Sequence, residues 1–116
     1  MGAVTFETFV FGETAQEAFS NAVADAKQMH GHGGYTGTIA EKSSFEVIPE
    51  QEHHGKQKRR YAHQLLEDGD ERIQSKWGPA GAINCSGTKE AKRYREQHRL
   101  KGKRGDVWLF FGWVSH

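Results

Sequence analysis

Two histidines and four glycines fall within eight positions at the start of HGHGGYTGTIAEK, residues 30–42. His30 and His32 in an H-x-H pair could both reach one ion from an extended backbone, and neutral imidazole is a favoured zinc ligand. A tetrahedral site needs further donors, which only the fold could bring from Cys85, His53 or His54. No C-x-x-C or H-E-x-x-H spacing is present. The same glycines could cradle a phosphate, but such a cradle is followed by a helix whose N-terminal amides and positive dipole end meet the anion. Here the helical pattern comes before the glycines and turns its negative end toward them. The plainest account is a helix stop followed by a tight turn into a strand. Gly33, Gly34 and Gly37 exceed what a stop requires, and with Tyr35 and Thr36 between them they mark a close approach of backbone or ligand. A small-ligand site of His30, His32, Tyr35 and Thr36 beside Trp77 therefore stands as an alternative. No metal and no cofactor is assigned.

Nucleophilic and acid–base chemistry find little support. Cys85 is the one cysteine of the chain; a thiol nucleophile needs an activating base, and a single cysteine in an apolar strand is expected to be a small core residue. Glu67, Asp68, Asp70 and Glu71 cluster as a solvated turn, and no acid–base pair assembles. The stronger chemical signal is cationic. Residues 1–50 hold two basic against seven acidic side chains, residues 51–116 fourteen against eight, and residues 87–105 alone eight against two. Lys58, Arg59 and Arg60, then Lys92, Arg93, Arg95, Arg99 and Lys101, could neutralise a run of phosphates, with Tyr61 and Tyr94 placed to stack on bases. The overall pI of about 7.9 is lower than a dedicated nucleic-acid binder shows, and an acidic protein would suit the same residues.

The elements that must carry these groups follow from periodicity. Residues 3–11, AVTFETFVF, alternate as a strand. Thr14 and Glu17 form a capping box ahead of a small-residue stripe, Ala15, Ala18, Phe19, Ala22, Val23, Ala26 and Met29, which predicts a helix over about 15–30. YTGTIAE and SFEVI read as short strands, and KQKRRYAHQLLED as a second helix within about 56–68. WGPAG, residues 77–81, is a turn, AINCS a strand, and DVWLFFGWV a strand apolar on both faces. Val107, Leu109, Phe111 and Trp113 share one face, Trp108, Phe110 and Val114 the other. Residues 87–105 fit a helix or a strand arm, since Tyr94, His98 and Leu100 make a poor helical stripe.

The expected fold is a single α+β domain over residues 1–116, with a mainly antiparallel sheet of four to five strands and residues 87–105 as a basic arm or insertion. No apolar run approaches the roughly 20 residues that cross a bilayer, and no signal peptide is evident at the N-terminus. With one cysteine, these features point to the cytoplasm and no membrane.

Three stretches, AFSNAVADAKQMHGHGGYTGTIAEK, SKWGPAG and LFFGWVS, resemble in this order a group of small proteins of unknown function encoded by tailed bacteriophages. The resemblance spans residues 18–42, 75–81 and 109–115. It implies an accessory protein in the infected host cell, acting by binding a host or phage protein, or nucleic acid through the basic arm, without catalysis. It supplies no residue roles. Anti-defence action is one form such binding would take, and a homodimer through the second apolar face of the last strand is a further expectation.

Overall fold

The computed structural model describes residues 2–30 and 37–115, and of His30 the backbone alone. The chain runs β1 (Ala3–Gly12), α1 (Ala15–His30), a 3-10 turn (Ile39–Glu41), β2 (Phe45–Val47), α2 (Glu50–His53), α3 (Lys58–Asp68), β3 (Ala80–Asn84), α4 (Lys89–Gln97) and β4 (Asp106–Ser115). The four strands form one sheet in the order β1-β4-β3-β2. β4 pairs antiparallel with β1 along their whole lengths, and antiparallel with β3. β2 runs parallel to β3 over three residues, so the sheet is mixed, with its other two pairings antiparallel. The chain reaches β2 and β3 through a helical crossover, α2 and α3, and such a return leaves the two strands pointing the same way. No helix among the described residues is long and apolar enough to cross a membrane.

β4 is central because both of its faces are apolar, and both faces are covered. Val107, Leu109 and Phe111 pack with Ile83, Cys85 and, from the helices, Ala62, Leu65, Leu66 and Ala91. Trp108 and Phe110 pack on the opposite face with Ala18, Phe19 and Ala22 of α1. Both apolar faces of β4 are thus covered within the chain, including the second one, expected to serve self-association, which lies against α1. Two glycines set the close approaches. A Cβ at Gly12 would lie 2.5 Å from the Ala18 amide nitrogen, and one at Gly81 would lie 2.5 Å from the Phe111 ring. Side chains at either place would push α1 off β1 or the ring out of the core.

Of the capping box predicted for α1, the Thr14 half is in place, the Glu17 amide donating to the Thr14 hydroxyl at 3.1 Å. After the glycine-rich segment the structure departs from expectation. In place of a strand through Ile39, the described part is a bend and the 3-10 turn, capped by Thr38. Glu41 and Lys42 explain it. The Glu41 carboxylate accepts from the amides of Gly37 at 2.5 Å and Ser115 at 2.9 Å. The buried Lys42 ammonium donates to the carbonyls of Ser75, Lys76 and Gly78 at 3.4, 3.3 and 2.9 Å. Side-chain bonds fasten this stretch across the end of the sheet, so its backbone has no need of a ladder.

On the other side, Arg72 donates to both Glu52 oxygens and both Asp70 oxygens, and Tyr61 Oη donates to Glu52 at 2.7 Å. Asp70, expected in a solvated turn, instead fixes the corner between α3 and β3. His53 lies inside this corner, fully buried, with no hydrogen-bond partner for either ring nitrogen among the described residues. The nearest carboxylate oxygen, of Glu50, is 3.8 Å away, the Tyr61 ring centroid 6.1 Å, and Lys58 adds positive charge. Burial, reinforced by Lys58, pushes the imidazole below its ordinary value of 6.5. A depressed folded-state value means that the unfolded chain binds the proton first as pH falls. Stability from this group is present above 6.5 and is lost as the pH drops toward the folded-state value. Replacing His53 with Leu should therefore shrink the difference in urea midpoint between about pH 5 and about pH 8. An unchanged difference would show that His53 does not titrate with folding.

Candidate macromolecule-binding surface

Residues 87–105 form a helix and a tight loop. The Thr88 hydroxyl donates to the Cys85 carbonyl at 2.7 Å and accepts the Ala91 amide at 3.1 Å, so α4 starts directly from the end of β3. Ala91 enters the core and Tyr94 packs at its margin. After Gln97 the chain reverses through Arg99 and Gly102, at φ 55° and 81°. Arg95 holds this loop, its guanidinium donating to the carbonyls of Leu100 at 3.2 Å, Lys103 at 3.1 Å and Gly105. The guanidinium carbon also lies 5.0 Å from the Phe11 ring centroid. Five donors in a rigid fork suit this task, whereas a lysine would satisfy the carbonyls with less fixed geometry.

The cations singled out in the sequence divide into two groups. Arg95 and Lys58, both part-buried, and the exposed Arg59 are held by partners within the chain. Lys58 Nζ donates to the His53 carbonyl at 2.7 Å, and Arg59 donates twice to one oxygen of Glu7, at 2.8 and 2.6 Å. His63 meets the other Glu7 oxygen at 2.8 Å. Burial acts to raise the Glu7 carboxyl, but the hydrogen bonds from Arg59 and His63 outweigh it and hold the group below its ordinary value. Arg60, Lys92, Arg93, Arg99 and Lys101 form the second group. All five are exposed, and none has a side-chain partner among the described residues. Tyr61, bound to Glu52 and with Lys56 Nζ 4.8 Å from its ring centroid, is not presented for stacking on bases.

Tyr94 is half-buried beside β1, the edge strand of the sheet; burial raises its phenol above the ordinary value of 10.0, against a smaller lowering influence of the Phe11 backbone. His98, one helical turn later, stacks on it with ring centroids 4.0 Å apart and planes 18° from parallel. The His98 Nδ1 lies 3.0 Å from the Tyr94 carbonyl. The i, i+4 spacing of the pair is visible in the sequence, but the ring stack is visible only in the structure. On the flank of Tyr94 is a hollow of about 280 Å³ lined by Phe9, Arg59, Glu90, Arg93 and Gln97.

The alternative site fares differently. His32, Tyr35 and Thr36 lie outside the described residues, as does the side chain of His30. Among the described residues a groove of about 370 Å³ runs along β1, with Phe6, Ala26, Met29, Gly37, Thr38 and Tyr94 among its walls. Trp77 is exposed, with Lys76 Nζ 5.1 Å from its ring centroid, and does not line the groove. Cys85 is buried, and burial pushes its thiol up to about 12, which leaves no thiolate for catalysis near neutral pH. No cluster of three metal-ligating side chains occurs among the described residues. In comparisons with known proteins, the chain matches no family model, no curated protein and no solved structure.

The division between braced and free arginines is open to measurement. Arg95→Ala should lower the unfolding free energy by about 1–3 kcal/mol, because three loop carbonyls, two of them part-buried, lose a charged donor. It should also speed tryptic cleavage after Arg99 and Lys101. Arg93→Ala should stay within about 0.5 kcal/mol of the parent in the same urea titration. Equal effects of the two changes would show that the brace does not operate.

Proposed function

We propose that this protein is an accessory protein of the tailed-bacteriophage kind, working in the cytoplasm of the infected cell. It binds a host or phage macromolecule, either nucleic acid or a protein that processes or defends against it, and catalyses no reaction. The observation that carries this is the concentration of unpartnered cations on α4 and its loop, while Arg59 and Arg72 are matched to carboxylates of Glu7, Glu52 and Asp70. Unpaired surface charge adds little to stability and carries a cost in self-repulsion, so its collection on one braced element is explained by an anionic partner. The buried thiol and the satisfied carboxylates support a binding role over a catalytic one. Replacing Arg93, Arg99 and Lys101 together with alanine should lower the salt concentration at which the protein leaves a polyanion column. Urea stability should stay close to that of the parent. An unchanged elution position would remove α4 and its loop as the contact surface.

A second reading, small-ligand binding, is favoured by the groove along β1. Its volume falls in the range of small-molecule sites, and its lining mixes apolar residues with Glu7, Asp25 and Tyr94, which fits an amphipathic guest. Ala26→Trp would fill it. Native mass spectrometry should show a retained molecule on the parent and none on the variant; a bare parent chain would remove this reading.

A further inference from the structure

The stacked rings of Tyr94 and His98 define the partner more narrowly. Resting on the binding function proposed above, we infer that the macromolecule is single-stranded nucleic acid and that one of its bases lies on the outer face of His98.

Three features of the surface lead to this. The first is the platform itself. His98 is exposed, yet its ring is held by the Tyr94 ring beneath it and by the Tyr94 carbonyl at Nδ1. One face is covered by the phenol, so the other faces water. A planar ring fixed in this way has already lost the rotamer freedom that a stacking partner would otherwise have to remove. Acidic protein side chains have no use for such a surface, whereas every nucleobase has a flat face that fits it.

The second is the placement of charge. Arg99 and Lys101 follow the platform directly, on a loop that the Arg95 brace keeps in one shape. Arg93 precedes it at the rim of the hollow beside Tyr94. Cations therefore stand before and after the stacking position along the chain, which suits a phosphodiester backbone passing on both sides of one base. The third is the hollow. Phe9 offers an apolar wall, and Arg93 and Gln97 offer donors and an acceptor to a base edge, while Glu90 keeps the site from being purely cationic.

A duplex cannot use these features together. Its bases are stacked on both faces, and flipping one out costs a few kcal/mol. Phosphate contacts alone would bind duplex and single strand through the same cations, but only an unpaired base reaches His98.

Fluorescence anisotropy at low salt separates the possibilities. The probes are a labelled oligothymidylate of about 12 nucleotides, a duplex of the same length, an abasic oligomer of the same charge, and polyglutamate. The oligothymidylate should bind more tightly than either the duplex or the abasic strand. His98→Ala should weaken it roughly tenfold, with the salt dependence unchanged and the abasic affinity unaffected. His98→Phe, which restores a ring, should recover most of that loss and guards against a folding artefact. Equal affinity for thymidylate and abasic strand, or no effect of His98→Ala, would overturn the inference and leave the cationic surface standing. Binding of polyglutamate without any oligonucleotide would overturn it in favour of an acidic protein. Binding of none of the four would overturn both the inference and the function on which it rests.

Discussion

Most of this structure follows from one constraint: β4 is apolar on both faces and must be shielded from water on both. A strand of this kind has to lie inside a sheet and between layers, because an edge position or a bare face would expose Leu109, Phe110 and Phe111 together. β1 and β3 supply the neighbours. α1 covers one face with small residues that bring its axis close, and α3 covers the other with Ala62, Leu65 and Leu66. Gly12 lacks room for a Cβ where α1 comes close to β1, and Gly81 lacks it where the ring of its cross-strand neighbour Phe111 lies over β3.

That demand also explains the character of α4. The face of β4 beneath α3 and α4 is filled mainly by residues of α3 and β3, so α4 contributes one buried side chain, Ala91, and the margin of Tyr94. Burial of so little apolar area cannot by itself hold a nine-residue helix in place. Polar bonds do the rest: Thr88 ties its start to Cys85, and Arg95 ties its end to the loop that leads into β4. A helix fixed at both ends and weakly buried along its length has most of its surface free for other duties. Its cations are therefore presented on a rigid support, with little of their exposure needed for folding.

What was legible in the sequence, and what was not, follows the range of the interactions. The alternation of β4 into two apolar faces and the Thr14 cap are local patterns, and the structure contains both. The segment from Thr38 to Glu41 carries the threonine and isoleucine of a strand, yet Glu41 and Lys42 fold it into a turn by bonds to Ser115 and to residues 75–78. Nothing within a short window announces those partners. The parallel pairing of β2 rests on three residues and on the crossover through α2 and α3. Residues 87–105 were ambiguous because α4 has almost no apolar stripe; its cap at Thr88 was the local sign of a helix. Of the site, the cationic composition was plain, but the difference between Arg93 and Arg95 was not. Two residues apart and chemically identical, they are separated only by where the loop carbonyls fall.

The arginines of this chain show how one side chain type serves two ends. Arg72 and Arg59 meet carboxylates, and each pairing lowers the partner's tendency to hold a proton: Glu52, Asp70 and Glu7 all lie below their ordinary values. Their charges cancel within a few ångströms, so at physiological salt little field extends beyond the pair. Arg95 meets carbonyls, which leave its charge uncancelled at the loop, and Arg93, Arg99 and Lys101 stand around it without carboxylate partners. The field of these residues therefore adds up instead of cancelling, over one short helix and its loop. A chain with a net charge of only +1 thus keeps a local positive potential where the whole-molecule charge shows almost none. Neutralising any of the paired arginines would cost stability and leave that potential nearly intact, while neutralising the free ones would do the reverse. It is this separation, more than the number of basic residues, that gives α4 and its loop the properties of a binding surface.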